Sequence, residues 1–325
     1  MNYIVIDLEW NQPKRFHSGS GESKHCEKRK PDKDMPFEII EIGAVKLDEA
    51  FEEIGRFNRV VKPTLYKKIN PIIAGITGIR EEEFHRAGKF KTVIEDFIAW
   101  CGEDYVFCTF GSQDLHELQI NMHYHNCEIP WTFPLTYIDV QRIFGIENQE
   151  PNEQRSLEMV SIFMGIEQKK EYHRALSDAV YTAEIMKKMD RDDLKKYRSL
   201  DYMNLPKTKK AEQDISLGDH LEYLSMGFES REEVIAYKEI YLTRCPVCAK
   251  KCRKKVKWFS DEKKYLCVAK CEEHGFLQGI LFVKNHYNGY YALRKTYLTD
   301  EERYRAIAER KKLLFEKRKS KLKNK

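Results

Sequence analysis

MNYIVIDLEWN, residues 1–11, runs from an apolar, β-branched stretch (YIVID) into two acids one residue apart, Asp7 and Glu9. The apolar run has the character of a strand buried on both faces. Side chains alternate along a strand, so Asp7 and Glu9 share one face while Leu8 points away. Burying an unpaired charge is costly. Two carboxylates at the carboxyl end of a buried strand therefore point to a cation, at the edge where open α/β sheets place ligands. The competing reading is a strand end with solvated acids, and the partners of these two residues decide between them.

Outward from this strand, FEIIEIGAVKL (37–47) reads as a second, with Gly43 inside it. IGRFNRVVKP (54–63) reads as a third, stopped by Pro63. Residues 11–36 are polar, hold Pro13, Pro31 and Pro36, and show no periodicity, so they read as a long loop. After INPIIAGITGI (69–79) a helix is expected around 90–101, with Phe90, Val93, Ile94, Phe97 and Trp100 on one face. YVFCTFG (105–111) is a fourth strand, SQDLHELQINMHYH (112–125) a helix N-capped by Ser112, and LTYIDV (135–140) a fifth strand. Helices over about 155–164 and 173–189 follow. Strands alternating with helices predict an α/β domain with a mixed sheet over 1–189. Residues 190–243 are charged and helix-prone, broken by Pro206, and read as a linker. A Cys-rich module occupies 244–298. The tail, 299–325, reads as one basic helix with Thr299 and Glu302 at capping-box spacing.

The chain has 325 residues, enough for two or three domains, and its 42% hydrophobic content is that of a globular protein. Between Arg303 and Lys325, eleven Lys and Arg stand against Glu309 and Glu316, a surplus of +9 that leaves −4 for the remaining chain against the total of +5. The basic character belongs to the tail, and acidic polymers are its natural partner. No apolar run approaches the roughly 20 residues that span a bilayer, and the N-terminal run lacks the pattern of a signal peptide. No membrane association is expected. The nine cysteines are odd in number and clustered late. That usage fits metal binding in a reducing cytoplasm better than a disulfide framework.

Two further acids complete the pattern. Asp114 follows a strand and opens a helix, so it too lies at a carboxyl edge, although an acid in a first helical turn is common for dipole reasons alone. In YHRALSDAVYTAEIM, His173 and Asp178 are five residues apart. On a continuous helix they would project some 140° apart. They share a face only if His173 precedes the helix proper. Ala175, Leu176, Ala179, Val180 and Ala183 make this helix apolar, so an Asp within it needs a reason. The plain alternative is a helix-start His and a charged surface Asp.

Together these motifs resemble those of the DEDDh 3′→5′ exonucleases, the RNase T and DnaQ-like group with an RNase H-like fold, and in texture the KapD-type exoribonuclease branch. Asp-x-Glu on the first strand is here Asp7 and Glu9. The Asp at a helix start is Asp114. His-x-Ala-x-x-Asp reads His173 to Asp178 without departure. The resemblance covers about 1–189. It implies two Mg²⁺ or Mn²⁺ ions, with Asp7 bridging both, Glu9 and Asp178 on the nucleophile side, and Asp114 acting through water. It also implies that His173 takes the proton from the attacking water. Trp10, just past the acids, is a candidate to stack on the terminal base of the substrate, with plain packing as its alternative.

CPVC and CEEHG supply Cys245, Cys248, Cys271 and His274, two pairs at knuckle spacing with Gly275 free to make the turn. With short strands between and after them they resemble a small three-stranded zinc ribbon holding one structural Zn²⁺. Cys252 or Cys267 could replace His274. Lys250, Lys251, Arg253, Lys254, Lys255 and Lys257 beside Trp258 and Phe259 suit single-stranded nucleic acid, or form a solvated strand face. The expected function is a metal-dependent 3′→5′ exonuclease acting on single-stranded nucleic acid, RNA before DNA, and releasing nucleoside 5′-monophosphates. A DNA exonuclease and an inactive nucleic-acid-binding adaptor are the competing readings. The full set of five catalytic candidates speaks against the adaptor.

Overall fold

A computed structural model describes residues 1–13, 31–150, 153–168 and 172–323. The chain divides into two compact units, Met1–Thr132 with Thr136–Asp201, and Tyr202–Lys325 with Phe133–Leu135. Most of the long loop read over 11–36 lies outside the described residues.

In the first unit, β1 (Asn2–Asn11), β2 (Glu38–Leu47) and β3 (Glu53–Lys62) pair antiparallel. Then come α1 (Pro71–Thr77), α2 (Glu81–Arg86), a short β4 (Gly88–Lys89) and α3 (Phe90–Cys101). β5 (Tyr105–Thr109), α4 (Gln113–Tyr124), β6 (Thr136–Asp139) and α5 (Val140–Glu147) follow. α6 (Leu157–Phe163), α7 (Ala175–Lys188), α8 (Arg191–Lys196) and β7 (Ser199–Leu200) close the unit. The sheet order is β4-β3-β2-β1-β5-β6-β7, with β5 parallel to β1 and β6 parallel to β5. This is the mixed sheet flanked by helices that an RNase H-like domain implies. It also brings the carboxyl ends of β1, β5 and β6 to one edge.

β1 is central and covered on both faces, which explains its unbroken apolar run. Tyr3 and Val5 meet Ala179, Ala183 and Met186 of α7 on one face. On the other side of the sheet the Phe97 ring of α3 lies 5.2 Å from Phe57 and 6.4 Å from Phe107. A Cβ added to Gly43 would lie 2.1 Å from the backbone of Ala175 and Leu176. Only glycine lets the first turn of α7 sit directly on β2. Ala175, Ala179 and Ala183, all buried, repeat every fourth residue along the contacting helix face.

Several sequence expectations need correction. α7 begins at Ala175, so His173 stands before the helix. α5 was not expected; it starts directly after β6, capped by Asp139, which accepts from the Arg142 amide at 3.0 Å. Ser112 occupies the N-cap of α4 without a side-chain cap bond. The first unit runs on to Asp201, because Leu194 of α8 is buried in its core and β7 pairs with β6.

Residues 190–243 are not a helical linker. They close the first unit at Asp201 and from Tyr202 belong to the second unit, contributing two strands to its sheet. β8 (Asp214–Ser216) and β9 (His220–Leu224) are followed by α9 (Arg231–Ala236). Then come β10 (Arg253–Asp261), β11 (Lys264–Cys271), β12 (Gly275–His286), β13 (Gly289–Thr299) and α10 (Glu301–Lys323). The antiparallel order is β10-β11-β12-β13-β9-β8, six strands where three were expected. The charges of β9 disguised it. Glu222 is buried, and it is held by His220 Nε2 at 2.9 Å, Lys295 Nζ at 2.5 Å and the Tyr202 hydroxyl at 2.8 Å. α10 is capped by Asp300, whose Oδ1 accepts from the Arg303 amide at 2.7 Å, and not by Thr299, which ends β13. No described helix is long and apolar enough to cross a membrane.

Candidate active site

Tyr3, Val5, Asp7 and Glu9 alternate onto the face of β1 that α7 covers. Asp178 descends to meet them from the first turn of that helix. One oxygen from each of Asp7, Glu9 and Asp178 lies within 4.8 Å of the others. Asp114, in the first turn of α4, accepts from the Leu8 amide at 3.1 Å and so is tied to β1 between the other two strand acids. All four carboxylates line one cavity of about 370 Å³, with Trp10, Phe110, Ser112, Gln113, Gln141 and Gln154 among its walls. A register shift between Glu9 and Trp10 passes over Ile40 of the partner strand β2. The half-buried Trp10 ring lies 5.9 Å from Phe37.

Burial, then the neighbouring Asp114, Asp178 and Glu9, holds the Asp7 carboxyl well above its usual range. Burial and Asp178 push Glu9 to about 8. Burial raises Asp114 to about 7 against the pull of the Leu8 amide, and Asp178 to about 6 against that of the His173 amide. Asp178 Oδ1 is buried with no hydrogen-bond partner. A cluster of acids that resist ionisation, one with an unsatisfied oxygen, is what a hard divalent cation relieves.

His173 has φ +65°, and its amide donates to Asp178 Oδ2 at 3.1 Å. Its ring is exposed and is not among the cavity walls given above. Behind the acids, buried Glu41 accepts from Arg174 Nη2 at 2.7 Å and from the Ala175 amide at 3.1 Å. Glu41 sits opposite Glu9, and Gly43 opposite Asp7, in the β1–β2 register. Strand β2 thus fixes the start of α7 against the acids of β1. Sequence reasoning noted Gly43 but missed Glu41 and Arg174. Gln113, Gln141 and Gln154 carry no sequence signal, because single polar residues on helix starts and loops are ordinary.

A family model for the RNase T exonucleases matches residues 4–186. The chain belongs to the RNase T exonuclease family. It is 27% identical over 176 residues to the 3′-5′ exoribonuclease 1 proteins of Rattus norvegicus and Mus musculus, covering 51% of this chain and 50% of each of theirs. The chain therefore spans about half the length of the curated relatives it matches. Among solved structures it is similar to the nuclease domain of 3′hExo, a DEDDh family member, bound to rAMP. There the identity is 21%, with 62% of this chain and 96% of that chain covered and a TM-score of 0.49.

Outside the exonuclease match, the second unit gathers Cys245, Cys248, Cys271 and His274, whose ligand atoms all lie within 4.8 Å of one another. Cys248 and Cys271 sulfurs are 3.7 Å apart, and Cys271 Sγ is 3.6 Å from His274 Nδ1. Four ligands about 2.3 Å from a central zinc would be spaced by roughly 3.8 Å. Burial alone would push the Cys271 thiol up, yet hydrogen bonds from His274 and the Glu273 amide pull it to about 6. Gly275 makes the expected turn at φ +82°. Cys252 packs against this cluster, while Cys267 is fully buried beneath Gly279. Trp258 and Phe259 are each half-buried, packed against different core clusters. The Trp258 indole donates to the Tyr241 carbonyl at 3.0 Å within one core cluster, and Phe259 packs in another beside Ile307.

Proposed function

We propose that this exonuclease-family protein hydrolyses single-stranded nucleic acid from its 3′ end, RNA before DNA, and releases nucleoside 5′-monophosphates. The observation that carries the reading is the convergence of Asp7, Glu9, Asp114 and Asp178 on one polar cavity. Two Mg²⁺ or Mn²⁺ ions, when bound, would activate water and offset charge on the leaving oxygen. Asp7, Glu9 and Asp178 are the residues placed to hold them, with Asp114 at the adjoining wall. His173 is positioned by its own amide at the margin of this cluster, where its exposed ring can receive the proton of the attacking water. Trp10 offers an aromatic face beside the acids for the terminal base. Similarity to proteins named 3′-5′ exoribonuclease favours RNA, and the three glutamines supply neutral groups suited to ribose hydroxyls and base edges. The thiol-rich second unit fits a reducing cytoplasm.

If His173 is the proton acceptor, His173→Ala lowers turnover roughly 10²–10⁴-fold while leaving Mn²⁺ binding in place, and added imidazole restores part of the loss. Steady-state hydrolysis of a short oligomer with and without imidazole checks this. Turnover equal to that of the unchanged chain would remove the role.

We further propose that Cys245, Cys248, Cys271 and His274 hold one structural zinc. Four protein ligands leave no open position, so its task is folding. The purified protein should retain about one zinc per chain through dialysis. Cys248→Ser should lose it and melt its end of the second unit early, yet still cleave a dinucleotide. A zinc-free protein of unchanged stability would contradict this.

A further inference from the structure

Charge is divided unequally along this chain. Residues 244–325 hold 24 Lys and Arg against nine Asp and Glu, a surplus of +15 that leaves −10 for residues 1–243. The part that carries the carboxylate cluster is thus acidic and repels a polyanion. Two basic runs some fifty residues apart come together in the second unit. β10 is an edge strand of the six-stranded sheet, and α10 lies along it. Arg310 Nη2 pairs with Asp261 at 2.8 Å, Lys311 Nζ donates to the Lys257 carbonyl at 2.9 Å, and Arg318 Nη2 reaches the Ser260 carbonyl at 3.3 Å. Ile307 of α10 is buried against Val256 of β10, which fixes the helix in this place.

These anchors leave the intervening lysines free. Lys255 and Lys257 on β10, and Lys312 and Lys317 on α10, are exposed, and none has an acidic partner among the described residues. Trp258 and Phe259 are half-buried against two core clusters, so the groups this edge exposes most fully are its lysines. Lys255 and Lys257 flank Val256 and so lie on the side of β10 away from α10, while Lys312 and Lys317 stand on the helix; ammonium groups around one sheet edge suit a phosphate backbone regardless of base sequence.

We propose that β10 and α10 together form a backbone-binding edge for single-stranded RNA, which holds the polymer to a chain whose remaining residues are net acidic. This rests on the nucleic-acid reading above but not on hydrolysis. An alternative use of lysines on an edge strand is to block strand pairing between molecules.

The test uses the full chain carrying Lys255→Gln, Lys257→Gln, Lys312→Gln and Lys317→Gln, with a quadruple Lys→Arg variant as control. Affinity for a labelled 20-nucleotide RNA is measured against salt in an Asp7→Asn background, so that the RNA stays intact. The Gln variant should bind roughly 10–100-fold more weakly at low salt, and the slope of log affinity against log salt should shrink by about 3, near 0.7 per lost contact. The Arg control should keep both. Dinucleotide cleavage in the otherwise unchanged chain should not alter. Unchanged affinity and slope in the Gln variant would overturn the proposal and leave edge protection. Loss of binding to phosphatidylserine vesicles with RNA affinity intact would overturn it in favour of a membrane surface. If the unchanged chain cleaves nothing but the Gln variant still loses RNA, the binding edge stands and the catalytic reading falls.

Discussion

Asp7→Asn should reduce hydrolysis roughly 10³–10⁵-fold, the scale of several kcal/mol of metal-dependent charge stabilisation, while RNA binding persists. The same substitution should make the metal-free protein more stable. The folded cluster keeps protons that the unfolded chain releases near pH 4. Stability from those protons is complete below that range and is lost as pH climbs through about 6, 7 and 8 at Asp178, Asp114 and Glu9. Removing one charge relieves the remaining acids, so the gain over the unchanged chain should grow from pH 5 to pH 8. It should reach on the order of 1–3 kcal/mol. Thermal melts of both proteins at the two pH values, freed of divalent ions but with zinc retained, give the comparison. A mutant less stable than the unchanged chain at pH 8 would mean that Asp7 serves the fold and not a cation.

Gly43→Ala should have the next largest effect on activity, although Gly43 does not line the cavity. Its added methyl would meet the Ala175 and Leu176 backbone at 2.1 Å, so the start of α7 must retreat by roughly 1 Å to reach an ordinary contact. Displacement on that scale costs about 10²-fold in rate where catalytic groups must be held in register. Forcing volume into a filled contact costs about 1–3 kcal/mol of stability besides. Asp178 rides on the displaced turn and Asp7 stays on β1, so Mn²⁺ affinity should fall as well. Titration of Mn²⁺ beside activity separates this from simple unfolding. Native affinity with native turnover would show that α7 is not set by this contact.

The site was more legible than the architecture around it. Asp7 and Glu9 stood out because an unbroken apolar run ends in two acids on one face of the strand, and Asp114 and Asp178 supplied them with partners. Asp178 stood out because it interrupts an apolar helix. Gln113, Gln141 and Gln154 reach the same cavity from helix starts and a loop, where a polar residue is ordinary. In the second unit, HLEYL looked like part of a solvated linker because Glu222 and His220 neutralise each other and Lys295 only after folding. Periodicity does not reveal a strand whose charges are paired inside. Trp258 and Phe259 misled in the opposite direction. Irregular pairing of β10 around Val256 leaves these adjacent rings half-buried against two different core clusters. Local chemistry could read them only as neighbours on a surface.

The most direct test of the central claim follows a 20-nucleotide RNA labelled at its 5′ end, and a DNA of equal sequence, with Mn²⁺ present or withheld. The proposed carboxylate cluster predicts Mn²⁺-dependent shortening from the 3′ end in single-nucleotide steps, with nucleoside 5′-monophosphates released, RNA consumed faster than DNA, and no shortening by the Asp7→Asn chain. Shortening without divalent ions, cleavage at internal positions, or undiminished hydrolysis by Asp7→Asn would contradict it.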